Sequence, residues 1–473
     1  MSDLLGGLIN AARALGAHQA GVQTAGRNLA NVNNSGYARQ RVVLGDRLVT
    51  DTPLGPLGSG VEVLGIEQLR DHLLDANVTH EISHTALLQS QQSAFSRAET
   101  SLGEKVDSSA NSNSITDASH STNGISSALN DFFNGWEQLS ANPADAGSRQ
   151  VLLQKANTLA DKFNVADQRL AGLQSDLTSQ VTNDVSAVNG VLKQIADLNA
   201  QISAAEVQSP GSAVDLRDQR QAQLEQLAKY TDFTVQPLAG SPGQIEVIAK
   251  NTAGGDFSLV SGNIVRGGIT FTGAGFTSGQ PPVALALQGG SLAGNLSARD
   301  GAVANLRTDL RSAATQLAAA VNTAYNPGGA SGNFFKVPPV TGIIALDPTL
   351  TFSTLRASAT GNSGANDIAL AVSNVAQKQF TTAGGDSIDG TIGGFFNRTV
   401  SGLGATLAGV NTRLTDQQSV QQMITQQRDS VSGVSLDEEM ADLMKYQRAY
   451  EASARVVRTI DDLLDTVIHG LSR

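Results

Sequence analysis

Both ends of the chain carry apolar positions spaced alternately three and four residues apart. From Leu5 the series runs Leu5, Leu8, Ala12, Leu15, Gln19, Val22, Gly26 and Leu29. From Leu436 it runs Leu436, Met440, Leu443, Gln447, Tyr450, Ala454, Val457, Asp461, Leu464, Ile468 and Leu471, all apolar but Gln447 and Asp461. Such a spacing keeps one stripe on one face of a helix and asks for a helical partner. The N-terminal helix also contains Gly6, Gly7, Gly16, Gly21 and Gly26, each costing about 1 kcal/mol against Ala in a helix interior. Residues 4–30 are therefore expected to be disordered in a free monomer and to order on assembly.

Between the ends the pattern predicts a helical body. A strand-like pair, Arg41 to Leu44 and Val61 to Ile66, precedes a helix over 69–104. A second helix, 124–141, puts Leu129, Phe132, Phe133, Trp136 and Leu139 on one face, and Pro143 ends it. A long helix follows over 146–206, its stripe including Leu170, Leu177, Val188, Leu192 and Ile202, and a shorter one spans 214–230. From Phe233 the texture becomes short strands between Gly, Pro and Asn turns: 234–237, 244–248, 257–260, 264–265, 269–272 and 283–287. Helical signal returns over 302–325, 366–381 and 394–431, with a turn-rich segment at 327–365.

The expected fold is mainly α with an inserted β domain. The terminal helices pair as a coiled coil (1–40 plus 432–473), a helical-bundle body spans 41–232 plus 301–431, and a small β-rich outer domain spans 233–300. A chain whose two ends are unpaired heptads suits a subunit whose terminal pair lies central in a tube while its body projects outward.

Composition narrows the function classes. Charged residues make up 16% of the chain and aromatics 4%, while glycine reaches 48 of 473 residues, so aromatic walls for a small-molecule pocket are scarce. The net charge of −11 without a basic run argues against nucleic acid as a partner. No apolar stretch approaches the ~18 residues of a membrane span, and the start, Met1 to Gly7, lacks a basic-then-apolar leader. With no cysteine, disulfides, thiol chemistry and Cys-ligated zinc are excluded.

Two stretches resemble a known family. Ala11-Ala-Arg-Ala-Leu15, Gln19, and Asn28-Leu-Ala-Asn31-Val-Asn33-Asn-Ser-Gly36-Tyr37-Ala-Arg39-Gln40 are similar to the N-terminal signature of flagellar rod, hook and hook-associated proteins. An Asn-rich helix end tolerates left-handed geometry and Gly36 permits a sharp exit. Ser432-Gly-Val-Ser435-Leu-Asp437-Glu438-Glu439, then Tyr446-Gln447 and Ala449-Tyr450, resemble the end of the first hook-associated, or hook–filament junction, family. Here Ser435 reads as a helix N-cap with Glu438 three residues on. Gly103-Glu104, Leu129-Asn-Asp-Phe-Phe133, Asn142-Pro143 to Arg149 and Val214-Asp215-Leu-Arg217-Asp218-Gln agree in order. Asn34-Ser35 stands where the family usually has Thr-Pro.

The resemblance implies a structural, non-enzymatic subunit with no cofactor, extracellular in the flagellum and exported through the type III channel without a cleaved signal. Its implied partners are copies of itself in a ring, the hook protein, the second junction protein and an export chaperone on the C-terminal region. The expected assembly surface is Leu15, Val22, Leu29, Asn31, Gly36 and Tyr37 with Leu436, Met440, Leu443, Tyr450, Val457 and Leu464. Tyr446 and Tyr450, at i and i+4, suit either ordinary seam packing or chaperone contacts, and both roles can hold at different stages. The alternatives are another axial protein, such as the hook protein or the second junction protein, and a zinc metallopeptidase. The last rests on His80-Glu81-Ile82-Ser83-His84, two histidines at i and i+4 with a Glu between, and Glu104 as a third ligand. That pattern fixes only three residues and falls in the family's body helix. Its remaining histidines, His18, His72, His120 and His469, show no ligand spacing.

Overall fold

The computed structural model describes residues 2–34, 36–46, 49–52, 55–58, 60–104, 124–207, 209, 211–329, 332–336, 342–360, 362 and 364–471. Ser35 and His120 lie outside the described residues. In chain order the elements are α1 (Ser2–Ala30), β1 (Gln40–Asp46), β2 (Val49–Thr52), β3 (Gly55–Gly58), β4 (Val61–Gln68), α2 (His72–Leu102), α3 (Ile125–Ala141), α4 (Ala146–Ala205) and α5 (Val214–Ala228). Seven short strands follow: β5 (Thr234–Pro237), β6 (Ile245–Lys250), β7 (Asp256–Ser261), β8 (Ile264–Val265), β9 (Thr270–Phe271), β10 (Phe276–Ser278) and β11 (Val283–Leu285). The chain ends with α6 (Gly290–Ser297), α7 (Ala304–Tyr325), β12 (Phe335–Lys336), β13 (Ala345–Leu346), α8 (Asp367–Asn374), α9 (Ile392–Ser432) and α10 (Leu436–Leu471). The fold is mainly α with small antiparallel sheets, as the sequence patterning predicts.

Helix starts are set by local carboxylates. Asp71 Oδ1 accepts from the backbone N–H of Leu73 (2.8 Å) and Leu74 (3.3 Å) at α2, and Asp145 accepts from Gly147 (3.3 Å) and Ser148 (2.8 Å) at α4. At α3 the cap comes from a distance: Glu104 Oε1 accepts from Ser126 N (2.9 Å).

Several boundaries differ from the sequence expectation. Helical structure after the strands begins at Gly290, not 302, and α6 joins α7 through a π-helical stretch over Ala298–Val303. Small residues such as Gly290, Ser291, Gly294 and Ser297 gave that helix no apolar stripe to read. The helix expected over 366–381 stops as α8 plus one 3₁₀ turn at Gln377, because Phe380 leaves to form a bridge with Gly390 (N···O 3.0 and 2.9 Å). The β2–β3 hairpin and β10 carry too few apolar residues to have been expected.

The chain forms two compact units. One comprises 86–184 and 291–416 and is built on a helical core. Trp136 is 0% exposed, its ring 5.2 Å from Phe334 and 6.1 Å from Tyr325, and Phe132 lies 5.6 Å from Phe335. These tilted and edge-on rings fill the space between α3, α7 and the β12 segment. Asn322 closes that segment: its Oδ1 accepts from Phe334 N and Phe335 N, and its Nδ2 donates to Phe335 O.

The other unit comprises 1–85, 185–290 and 417–473. Strands β5-β6-β7-β8 form one antiparallel sheet and β11-β10-β9 another. Two asparagines on α4 bind this β region. Asn189 exchanges hydrogen bonds with the Ile269 backbone (2.7 and 2.9 Å), and Asn199, 0% exposed, donates to Ile245 O and Gly262 O (3.1 and 2.7 Å). β1 pairs with β4 over its whole length, and α1 packs along α10.

Candidate assembly interface

The two sequence signatures meet in space, at the end of α1 and the start of α10. Asn28, 1% exposed, is the centre. Its Nδ2 donates to Gln40 O (2.8 Å) and Glu439 Oε2 (2.9 Å), and its Oδ1 accepts from Tyr37 Oη (2.8 Å) and Gln40 N (3.0 Å). All four hydrogen-bonding positions of this amide are therefore used, which fixes its orientation. Burial, with Asp218 and Asp215 nearby, pushes the Tyr37 hydroxyl well up, so it stays protonated as the donor to Asn28.

Arg39 clamps the same point from the other side. Its Nε donates to Glu439 Oε1 and its Nη1 to Glu438 Oε2, both at 2.6 Å, while Nη2 stands 3.5 Å from Asp442. Arg39 N also donates to Ser432 O (2.8 Å), the last residue of α9. Glu438 is thus an ion-pair partner, whereas its position three after Ser435 had suggested a capping box. Gln40 Nε2 donates to Asp215 Oδ1 (3.0 Å), and Arg70 binds Gly36 O (3.2 Å), Asp75 (2.9 Å) and Asp218 (2.6 Å). The turn at Gly36-Tyr37 is accordingly held by Arg70, just ahead of α2 and itself fixed by Asp75 of α2 and Asp218 of α5, as well as by α10.

Along the helix pair, the buried face of α1 is Ala17, Gly21, Thr24, Ala25 and Asn28. Leu15, Val22 and Leu29 flank it, half-buried, and so do Asn31, Gly36 and Tyr37. A Cβ at Gly21 would lie 2.5 Å from Tyr446 Cδ1, and one at Gly7 would touch Ile460 Cδ1 at 3.5 Å. On α10 the half-buried positions include Leu443, Tyr446, Ala449, Ser453, Val457, Ile460 and Leu464. Leu436 (50%), Met440 (54%) and Met444 (51%) are exposed, and Tyr450 is 37% exposed. The expected surface residues thus divide: Leu443, Val457 and Leu464 sit toward the pair, while Leu436, Met440 and Tyr450 face away from it. Sequence reasoning passed over Gly21, Asn28 and Glu439, because a small or polar residue does not register in an apolar stripe. Asn28 and Glu439 did stand inside the quoted motifs.

The zinc-protease pattern is accounted for otherwise. His80 and His84 rings lie tilted against each other on α2 with centroids 4.5 Å apart, but Glu81 accepts a hydrogen bond from Gln417 Nε2, and Glu104 caps α3. Among the described residues no group of three His, Cys, Asp or Glu is placed to hold a metal ion. Among them, too, no helix is long and apolar enough to cross a membrane.

The family model described as the flagellar hook-associated protein FlgK helical domain matches residues 114–335, and that of the flagellar basal body rod FlgEFG protein C-terminal matches 421–469. Flagellar hook-associated protein 1 of Bacillus subtilis is 27% identical over 524 aligned positions, covering 100% of this chain and 99% of that protein. The protein of the same name from Escherichia coli is 26% identical, covering 99% and 100% respectively. Among solved structures, the flagellar hook junction protein FlgK from Burkholderia pseudomallei aligns at 23% identity with a TM-score of 0.45, over 56% of this chain and 47% of that one. End-to-end similarity to hook-associated proteins and the two terminal signatures closed on one another agree: the chain is similar along its whole length to flagellar hook-associated protein 1.

Proposed function

We propose that this chain is the structural subunit joining hook to filament, assembled as a ring of its own copies through α1 and α10. The observation that carries the reading is the clasp at Asn28, Arg39 and Glu439, which ties the two terminal signatures into one hydrogen-bonded corner at the root of the helix pair. The pair also presents apolar side chains outward: Leu436, Met440 and Met444 on α10 and Ile9 on α1. In a ring these meet neighbouring copies, with the hook protein on one side and the second junction protein on the other. The terminal pair forms the inner assembly domain, and 233–300 is the outward β-rich part.

Location in the flagellum and association with other axial proteins are supported by the similarity to hook-associated and rod proteins. Export through the type III channel, without cleavage of a leader, and a dedicated chaperone on the C-terminal region belong to the proposal. Tyr446 lies against Gly21 of α1, so a chaperone that takes Tyr446 and Tyr450 binds before α1 settles on α10. Catalysis has no part in the proposed role.

The test is Leu443→Asp, which puts a charge at a half-buried position of the pair. The soluble body is expected to keep its wild-type melting profile while incorporation and filament growth are lost. Normal filaments built with this variant would refute the role given to the pair.

A further inference from the structure

We propose that a cavity of about 440 Å³ within the unit formed by 1–85, 185–290 and 417–473 is a receptor for a small organic carboxylate with a short apolar body, held by the free edge of the Arg220 guanidinium. Positions 217, 220, 221 and 224 recur on one face of α5, and that face forms a wall of the cavity. Val235 and Ile245 on β5 and β6, with Thr79 on α2, close the other sides. Its volume is within the range of small-ligand sites, and its walls mix aliphatic groups with a few directed polar ones.

Arg220 is 7% exposed and oriented by fixed partners. Its Nη1 donates to Asn199 Oδ1 and Gly243 O, both at 2.7 Å, and Asn199 is anchored in turn on Ile245 O and Gly262 O. The opposite edge, Nε with Nη2, makes no hydrogen bond to the described residues, and no carboxylate among them pairs with Arg220. That edge is the side of a guanidinium that takes a carboxylate through two parallel N–H···O bonds.

The neighbouring charges are committed elsewhere. Arg217 is paired with Glu206 (2.7 Å), and Arg70 with Asp75 and Asp218. Of the lining carboxylates, Asp75 gives Oδ2 to Arg70 and keeps a buried Oδ1 without a hydrogen bond, and Glu67 is exposed, 3.7 Å from Arg41. His72 is exposed on the lining. Arg220 is left as a buried cation without its own anion, a costly arrangement unless something enters to pair with it. Burial first, and then Arg217, push its guanidinium down to about 10, still charged at neutral pH.

Equilibrium dialysis of the full chain against labelled butyrate at fixed ionic strength tests this, with acetate and butylammonium in parallel. One saturable butyrate site is expected, binding acetate several-fold more weakly for lack of the apolar tail and butylammonium not at all. Arg220→Lys keeps the charge but loses the two-pronged edge, and should weaken binding by about tenfold or more. Val235→Trp, at an exposed strand position on the cavity wall, should block entry while leaving Arg220 and its partners in place. No saturable uptake by the wild-type chain, acetate bound as tightly as butyrate, or full binding retained by folded Val235→Trp would each overturn the proposal. If Arg220→Lys does not fold, Val235→Trp decides alone.

Discussion

Gly21 is where helix propensity and packing disagree. Alanine would gain about 1 kcal/mol in an isolated helix, but its methyl would press into the Tyr446 ring, and overpacking costs about 1–3 kcal/mol. Gly21→Ala is therefore expected to destabilise the α1–α10 pair, and Gly21→Val to separate it, as read by hydrogen exchange across both helices. Glu439 is the second sensitive point. It is 2% exposed and serves both Arg39 and Asn28, so Glu439→Ala should cost about 3 kcal/mol by stranding buried partners. Glu438→Ala should cost under about 1 kcal/mol, because that side chain is mostly exposed. Urea titrations of the two variants compare them directly. A third residue gives a pH dependence. Burial raises the Asp167 carboxyl, but hydrogen bonds from Arg311 and Arg307 outweigh it and hold it below the usual carboxylate range. A depressed folded pKa stabilises above the unfolded value, near 3.8, and that contribution is lost as pH falls below it. Asp167→Asn should flatten this acid-side loss in urea midpoints measured from neutral pH down to pH about 3.

At the scale of elements, apolar periodicity located most of the helices because they bury continuous stripes. For α4, Leu170, Leu177, Val188, Leu192 and Ile202 on the predicted stripe are all buried. What it could not locate were elements whose packing depends on small or polar residues: α6, β10, and the face of α1 built from Ala17, Gly21, Thr24 and Asn28. The same limit hid the seating of the β region on α4, which rests on Asn189 and Asn199, single amides whose partners lie about 50–80 residues away. The terminal clasp was half legible. Its residues stood in the quoted motifs, yet their pairing spans almost the whole chain, for which a single sequence has no signal. Because the α1 face is made of small side chains, it buries little apolar area, about 25 cal/mol for each Å². Amides of residues 4–30 are therefore expected to exchange much faster than those of α4 in the free chain, and to become protected on assembly. Equal protection of both helices in the monomer would contradict this.

For the whole molecule, end-to-end similarity to hook-associated proteins and the clasp support the proposed junction subunit, in which the ends assemble and the β-rich residues 233–300 stay outward. Loss of incorporation by Leu443→Asp with an intact body is the genetic form of that prediction. Its spatial form is immunogold labelling of isolated hook–filament assemblies with antibody raised against residues 233–300. A single band of gold at the boundary between hook and filament is the predicted result. Label spread along the hook or the filament, or none with controls working, would contradict it.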